Sequence, residues 1–202
     1  MREFSNRLLR LLLVAAIVVL GCSGVAAAEF TADFTQSQGD DVKSGKIYVT
    51  EKGYCMEMVD GSDKILVIVS PAKRQTVVCQ ASVKEFRVLA IDDMTSLMND
   101  PFQAFNYTAD MGELKAAGTE TVNGYECEKT IINMSDTDVM ARWMATSLGF
   151  PIKIVAFGPP DRVMELSNIV EGEVDKAKFK IPDGYTKWID PVSYTHLRAH
   201  ET

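Results

Sequence analysis

The clearest run of alternating polarity begins at Asn123-Gly124, a dipeptide that favours a two-residue hairpin turn. Beyond it Glu126, Glu128 and Thr130 fall on one face at period two, while Tyr125, Cys127 and Ile131 fall on the other, with Lys129 as the one interruption. One face is wet and the other packed, which places this strand inside a single antiparallel sheet. The chain before it reads the same way. Phe30, Ala32 and Phe34 alternate with Thr31, Asp33 and Thr35, and strands over Lys46 to Glu51 and Tyr54 to Val59 flank the Lys52-Gly53 turn. Asp60-Gly61 then leads into Ile65 to Val69, apolar on both faces and therefore a central, covered strand. Gln75 to Gln80 and Glu85 to Ala90 complete this half.

The pattern then changes. Asp92 or Asp93 can cap a short helix carrying Met94, Leu97 and Met98 on one side, and Asp100-Pro101 stops it. From Phe102 to Gly118 no period is clean, so this long connection is expected to be irregular, with one more helical turn, in the position of a lid. Asp138 to Ala145 fits either helix or strand; Val139, Ala141 and Trp143 on one face favour strand. Pro151 to Phe157 and Val163 to Val170 form a hairpin turned by Gly158-Pro159-Pro160-Asp161.

Both ends stand apart. Arg2, Arg7 and Arg10 precede the apolar run Leu11 to Leu20, and Ala26-Ala27-Ala28 follows, the three regions of a secretory signal peptide with cleavage expected after Ala28. The apolar run is shorter than the ~20 residues a spanning helix needs. A competing reading is the lipobox of bacterial lipoproteins at Val19-Leu20-Gly21-Cys22, in which Cys22 becomes the lipidated first residue. At the other end Val192 to Thr202 resembles a translated sequencing adapter, and it holds both histidines, His196 and His200. The expected organisation is a signal peptide over 1–28, one domain over 29–191 and an artefactual tail over 192–202.

Charge and cysteines narrow the chemistry. Taking away Arg2, Arg7, Arg10, Arg198, Glu3 and Glu201 moves the formal net charge from −7 to −9, with the remaining basic residues scattered singly, so nucleic acid is not an expected partner. Cys55, Cys79 and Cys127 remain in an oxidising compartment. If Cys55 and Cys79 flank a common middle strand they lie about 9 to 10 Å apart, beyond the ~7 Å reach of a disulfide, so buried free thiols are expected. Their spacing fits no zinc site, and neither metal nor cofactor is expected. Without histidine, and with no Ser-x-x-Lys, Gly-x-Ser-x-Gly or paired-carboxylate signature, no catalytic residue is assigned and an enzyme ranks behind binding.

Phe30-x-Ala-x-Phe-x-Gln36 followed by Gly45-Lys-Ile-Tyr-Val49 resembles the opening of the LolA and LolB superfamily of envelope lipoprotein carriers and its sibling domains of unknown function. Val122-Asn-Gly-Tyr-Glu-Cys-Glu-Lys129, Trp143, Leu148-Gly-Phe-Pro-Ile-Lys153 and Phe179-Lys-Ile-Pro-Asp-Gly-Tyr185 resemble the sibling family in order and spacing. The resemblance implies a mainly β, α+β fold: a single antiparallel sheet curved into an open half-barrel, its concave apolar face covered by short helices and, in the carriers, holding acyl chains. The chain departs from LolA in lacking an amphipathic helix before the first strand.

Nine of the ten methionines fall in the domain, and flexible thioethers suit a cavity for irregular acyl chains as well as ordinary core filling. Candidate lining residues are Phe34, Met56, Met58, Cys127, Trp143, Ile154, Met164 and Leu166. The expected function is an exported, non-catalytic protein of the periplasm, or an outer-membrane lipoprotein through Cys22, that binds a lipid or lipoprotein acyl chain. The alternative is an envelope interaction or sensor module with the same fold, a collapsed core and another envelope protein as partner. A cavity of several hundred Å³ would favour the first, and a filled interior beside an exposed apolar patch the second.

Overall fold

The computed structural model describes residues 28–189. The lipobox with Cys22, and the tail from Val192 with His196 and His200, lie outside the described residues. The strands are β1 (Phe30–Gln38), β2 (Asp41–Thr50), β3 (Gly53–Asp60), β4 (Asp63–Ser70), β5 (Gln75–Gln80), β6 (Glu85–Ala90), β7 (Glu113–Val122), β8 (Tyr125–Met134), β9 (Thr137–Ala145), β10 (Phe150–Ala156), β11 (Arg162–Glu171) and β12 (Thr186–Lys187). Two helices, α1 (Met94–Asn99) and α2 (Pro101–Ala109), separate β6 from β7.

These strands form one sheet in the order β12-β6-β5-β4-β3-β2-β1-β11-β10-β9-β8-β7, antiparallel except where β12 runs parallel to β6. The sheet is open and curved, as expected. β1 sits in the middle because each neighbouring meander ends on it: β2 follows by a hairpin, and β11 returns to pair Phe34 with Leu166 and Gln36 with Met164. Short turns suffice within each meander. Between β6 and β7, however, the chain must travel from one end of the sheet to the other, and it does so as α1 and α2 laid across one face.

Alternation sets what lies beneath the helices. Phe30, Ala32 and Phe34 are buried while Thr31 and Asp33 are half-buried on the other side, and register aligns Ala32 with Ile47, Met56 and Val67 across four strands. At Gly45, paired with Phe34, a Cβ would strike the Glu57 carbonyl and the Phe34 ring, so glycine is what lets the phenyl ring lie flat there. Met56 and Val67 share the helix-covered face, whereas Cys55 and Ile68 turn to the opposite one. There Tyr48, Cys55, Ile68, Val77 and Cys79 make a second apolar cluster, covered by Val174, Phe179 and Tyr185 of the segment after β11. The run Ile65 to Val69 is accordingly covered on both faces.

The long connection differs from the expectation of irregular chain. Asp100-Pro101 ends α1 and also starts α2: the Asp100 carboxylate accepts from the backbone N–H groups of Phe102 and Gln103, and Pro101 needs no donor at a first helical position. Of Glu113 to Val122, only Val122 is buried. An edge strand wet on both faces has no alternation to display, so β7 left no period in the sequence.

Candidate functional site

The helix-covered face, where the candidate lining residues were expected, is filled. Phe102 and Phe105 of α2 descend onto the sheet at 3% and 1% exposure, and Tyr54, Phe102, Phe150 and Phe30 stack edge to face at centroid distances of 5.0–5.6 Å. Polar bonds fix both helices. Tyr54 Oη donates to Asp100 Oδ2 and accepts from Gln103 Nε2 at 3.0 Å, which ties α2 to β3. Ser96 Oγ donates to Thr76 Oγ1 at 2.8 Å, which ties α1 to β5. Asp100 is fully buried, and desolvation pushes its carboxyl up to about 6 despite the donors around it. The Tyr54 phenol is driven upward too, first by burial and then by the Asp100 charge. The space left between the helices and Ile154, Met164 and Met140 is about 50 Å³.

The eight predicted lining residues divide. Register places Met56 and Met58 with Phe34, and Leu166, Met164 and Ile154 with them, on the helix-covered face. Trp143 pairs with Lys129 and Lys153, and Cys127 lies two residues from Lys129 on the same strand, so both point to the opposite face. Seven of the eight are buried core residues; Met58 is half-buried. Lys129, the interruption in the alternating strand, has its ammonium 4.7 Å from the Trp143 ring centre and 2.9 Å from Glu120, which also accepts from Trp143 Nε1 at 2.8 Å.

The three thiols are free and buried, and β4 separates Cys55 from Cys79. Burial raises Cys55 to about 12 and Cys79 to about 11, and raises Cys127 as well, leaving all three as unreactive thiols. Among the described residues no group of three His, Cys, Asp or Glu side chains is placed to hold a metal ion.

Outside the core an apolar strip rounds one end of the sheet. Met98 lines the small space under α1 and also a shallow hollow of about 120 Å³, where it, Met58 and Ile65 meet a mostly polar wall that includes Gln36, Asp41, Lys43 and Arg162. Met58 and Ile65 continue into a groove of about 420 Å³ with Val59, Leu66 and Tyr185. Met98 is 65% exposed, Met94 64% and Val59 53%. The sequence pattern put Met94, Leu97 and Met98 on one side of a helix; in the fold Leu97 points inward and the two methionines outward. Exposure of Met98 and Val59 is a tertiary property that carries no local signal.

Residues 33–149, more than half of the chain, match the sequence profile of one family. The chain belongs to that family, described as Domain of unknown function (DUF4412). No curated protein matches this DUF4412 chain in sequence. In fold it is similar to an uncharacterized conserved protein from Thermus thermophilus, at 8% identity and a TM-score of 0.58, over 82% of this chain and 92% of that one. It is also similar to MucB in complex with MucA(peri), at 12% identity and a TM-score of 0.50, over 78% of this chain and 56% of that one. The DUF4412 chain thus spans little more than half the length of MucB. A LolA superfamily protein from Nitrosomonas europaea is matched at 11% identity and a TM-score of 0.39, over 76% of this chain and 90% of that one, a likeness too slight to argue from. The first two likenesses show the shared fold alone.

Proposed function

We propose that this chain is an exported, non-catalytic binding module of the bacterial envelope, which docks a protein partner on the apolar strip formed by Met98, Met58, Ile65 and Val59. The observation that carries this reading is the filled interior. An enclosed acyl chain needs a pocket of roughly 300 Å³ or more, and the space under α1 and α2 is about 50 Å³. Surface methionines beside a packed core suit an adaptable protein contact. A protein of the same fold, MucB, has been solved in complex with MucA(peri), which supports the same direction. The signal-like segment before the domain supports a periplasmic location, and three neutral, buried thiols with no histidine over 29–191 support a role without catalysis.

The carrier reading keeps one support of its own: six of the eight lining residues share the face beneath the helices, so an outward swing of α1 and α2 would open an apolar trough. Substitution at the strip separates the readings. Met98→Glu combined with Val59→Lys alters two exposed side chains and should leave the melting temperature unchanged while abolishing retention of an envelope protein that the unaltered chain holds. Partner retention intact in the double variant would overturn the strip as the docking surface and leave the trough under the helices as the better reading.

A further inference from the structure

A second concavity lies away from both the interior and the apolar strip. It opens on the face opposite the helices, between the β2–β3 turn, the end of β4 and the short 3-10 turn Lys176–Phe179, and its volume is about 470 Å³. Its floor is apolar: Ile68 is 5% exposed, Ala72 lies on the lining beside it, and the Phe179 ring closes one side against the cluster that holds Cys55 and Val77. Lys52, Lys73 and Lys176 line its rim. All three are exposed, and none forms an ion pair with another described residue. The acids of the rim are Glu51 and Glu29, and Glu29 Oε2 already accepts from the Val174 N–H. On a domain that carries a net −9, three ammonium groups against two carboxylates around one greasy floor leave a local excess of positive charge.

We propose that this cleft binds a single-chain anionic amphiphile, its alkyl chain on Ile68, Ala72 and Phe179 and its carboxylate or phosphate head among Lys52, Lys73 and Lys176. The volume falls in the range of small-ligand sites. The floor contributes through apolar burial, and the rim discriminates head groups by charge, because each ammonium is a strongly hydrated point charge on a flexible stem that reaches a mobile anion easily. The site is independent of the protein-docking strip: no residue lines both.

Titration calorimetry of the full chain with decanoate, dodecanoate, dodecyl phosphate and dodecyltrimethylammonium, each below its micellar concentration, tests the assignment. The anionic probes should bind and the cationic one should not, with affinity rising about fourfold for each added methylene. Comparison of dodecanoate with dodecyl phosphate shows which head group is preferred. The triple variant Lys52→Gln, Lys73→Gln, Lys176→Gln should bind the anions at least about tenfold more weakly, Phe179→Ala should lose the chain-length dependence, and Met98→Glu should bind as the unaltered chain does. The lysines are exposed, so the triple variant tests the rim without touching the core. Equal binding of the cationic probe, unchanged affinity in the triple variant, or no binding by any of the three anions would overturn the proposal.

Discussion

Asp100 shows how one side chain serves two structural ends at an electrostatic cost. Its carboxylate caps α2 and receives the Tyr54 hydroxyl, yet it is fully buried and its pKa is raised from 3.8 to about 6. A group whose folded pKa lies above its unfolded one holds its proton more tightly in the fold. Below about pH 4 both states are protonated and the contribution is at its maximum; as the pH rises through about 6 the folded state must keep a charge out of water and the contribution is lost. The loss at neutral pH is up to about 3 kcal/mol. Asp100→Asn keeps the capping oxygen and removes the titration, so its melting temperature should stay level between about pH 4.5 and 7 while that of the unaltered chain falls by several degrees relative to it. Parallel pH profiles for the two proteins would exclude Asp100 as the titrating group.

Among the elements, the β7–β8 hairpin is tied to a strand far away in sequence. Asn123 and Gly124 both take positive φ, 49° and 85°, the backbone of the two-residue turn that the sequence announced. The Asn123 amide then donates to the Leu166 carbonyl at 2.7 Å and to Glu165 Oε1 at 3.0 Å, so the tip of the hairpin curls onto β11. Asn123→Gly preserves the turn and removes the tether. It should cost about 1–2 kcal/mol, a fall of several degrees in melting temperature, and speed hydrogen exchange in β7; an unchanged melt would show that the turn alone holds the hairpin. The turn was legible and the tether was not, because a dipeptide encodes its own dihedrals but not its distant acceptor. The same distinction runs through the chain. β1, β3 and β8 announced themselves by alternation, and β4, covered on both faces, by an unbroken apolar run. β7 buries almost nothing and did not, and Asp100-Pro101 reads as a stop until the helix it also starts is seen. At the candidate site, parity along each strand correctly groups Cys127 with Lys129, but which face of the sheet the helices cover depends on the crossing from β6 to β7, so Cys127 and Trp143 were grouped with six residues they do not face.

At the scale of the molecule, an open sheet has two apolar faces to cover and this chain covers them from different places. α1 and α2 close one; on the other, the segment from Val174 to Tyr185 lies over Tyr48, Cys55, Ile68, Val77 and Cys79. The two layers share the sheet but not their side chains, which makes the second layer separable. Ending the chain after Gly172 would return several large apolar side chains to water at about 1.5–3 kcal/mol each, a serious loss against a total stability of about 5–15 kcal/mol. Its signature should be local. Cys55 and Cys79 belong to the cluster that the segment covers, whereas Cys127, on the far half of the sheet, belongs to the larger cluster with Ile132 and Leu148 and lies outside the segment's cover. A thiol reagent in native buffer should therefore label Cys55 and Cys79 of the truncated protein quickly and Cys127 slowly, while all three stay slow in the full chain. Three fast thiols would mean that the larger cluster does not survive without the second layer, and three slow ones that something other than this segment shields Cys55 and Cys79.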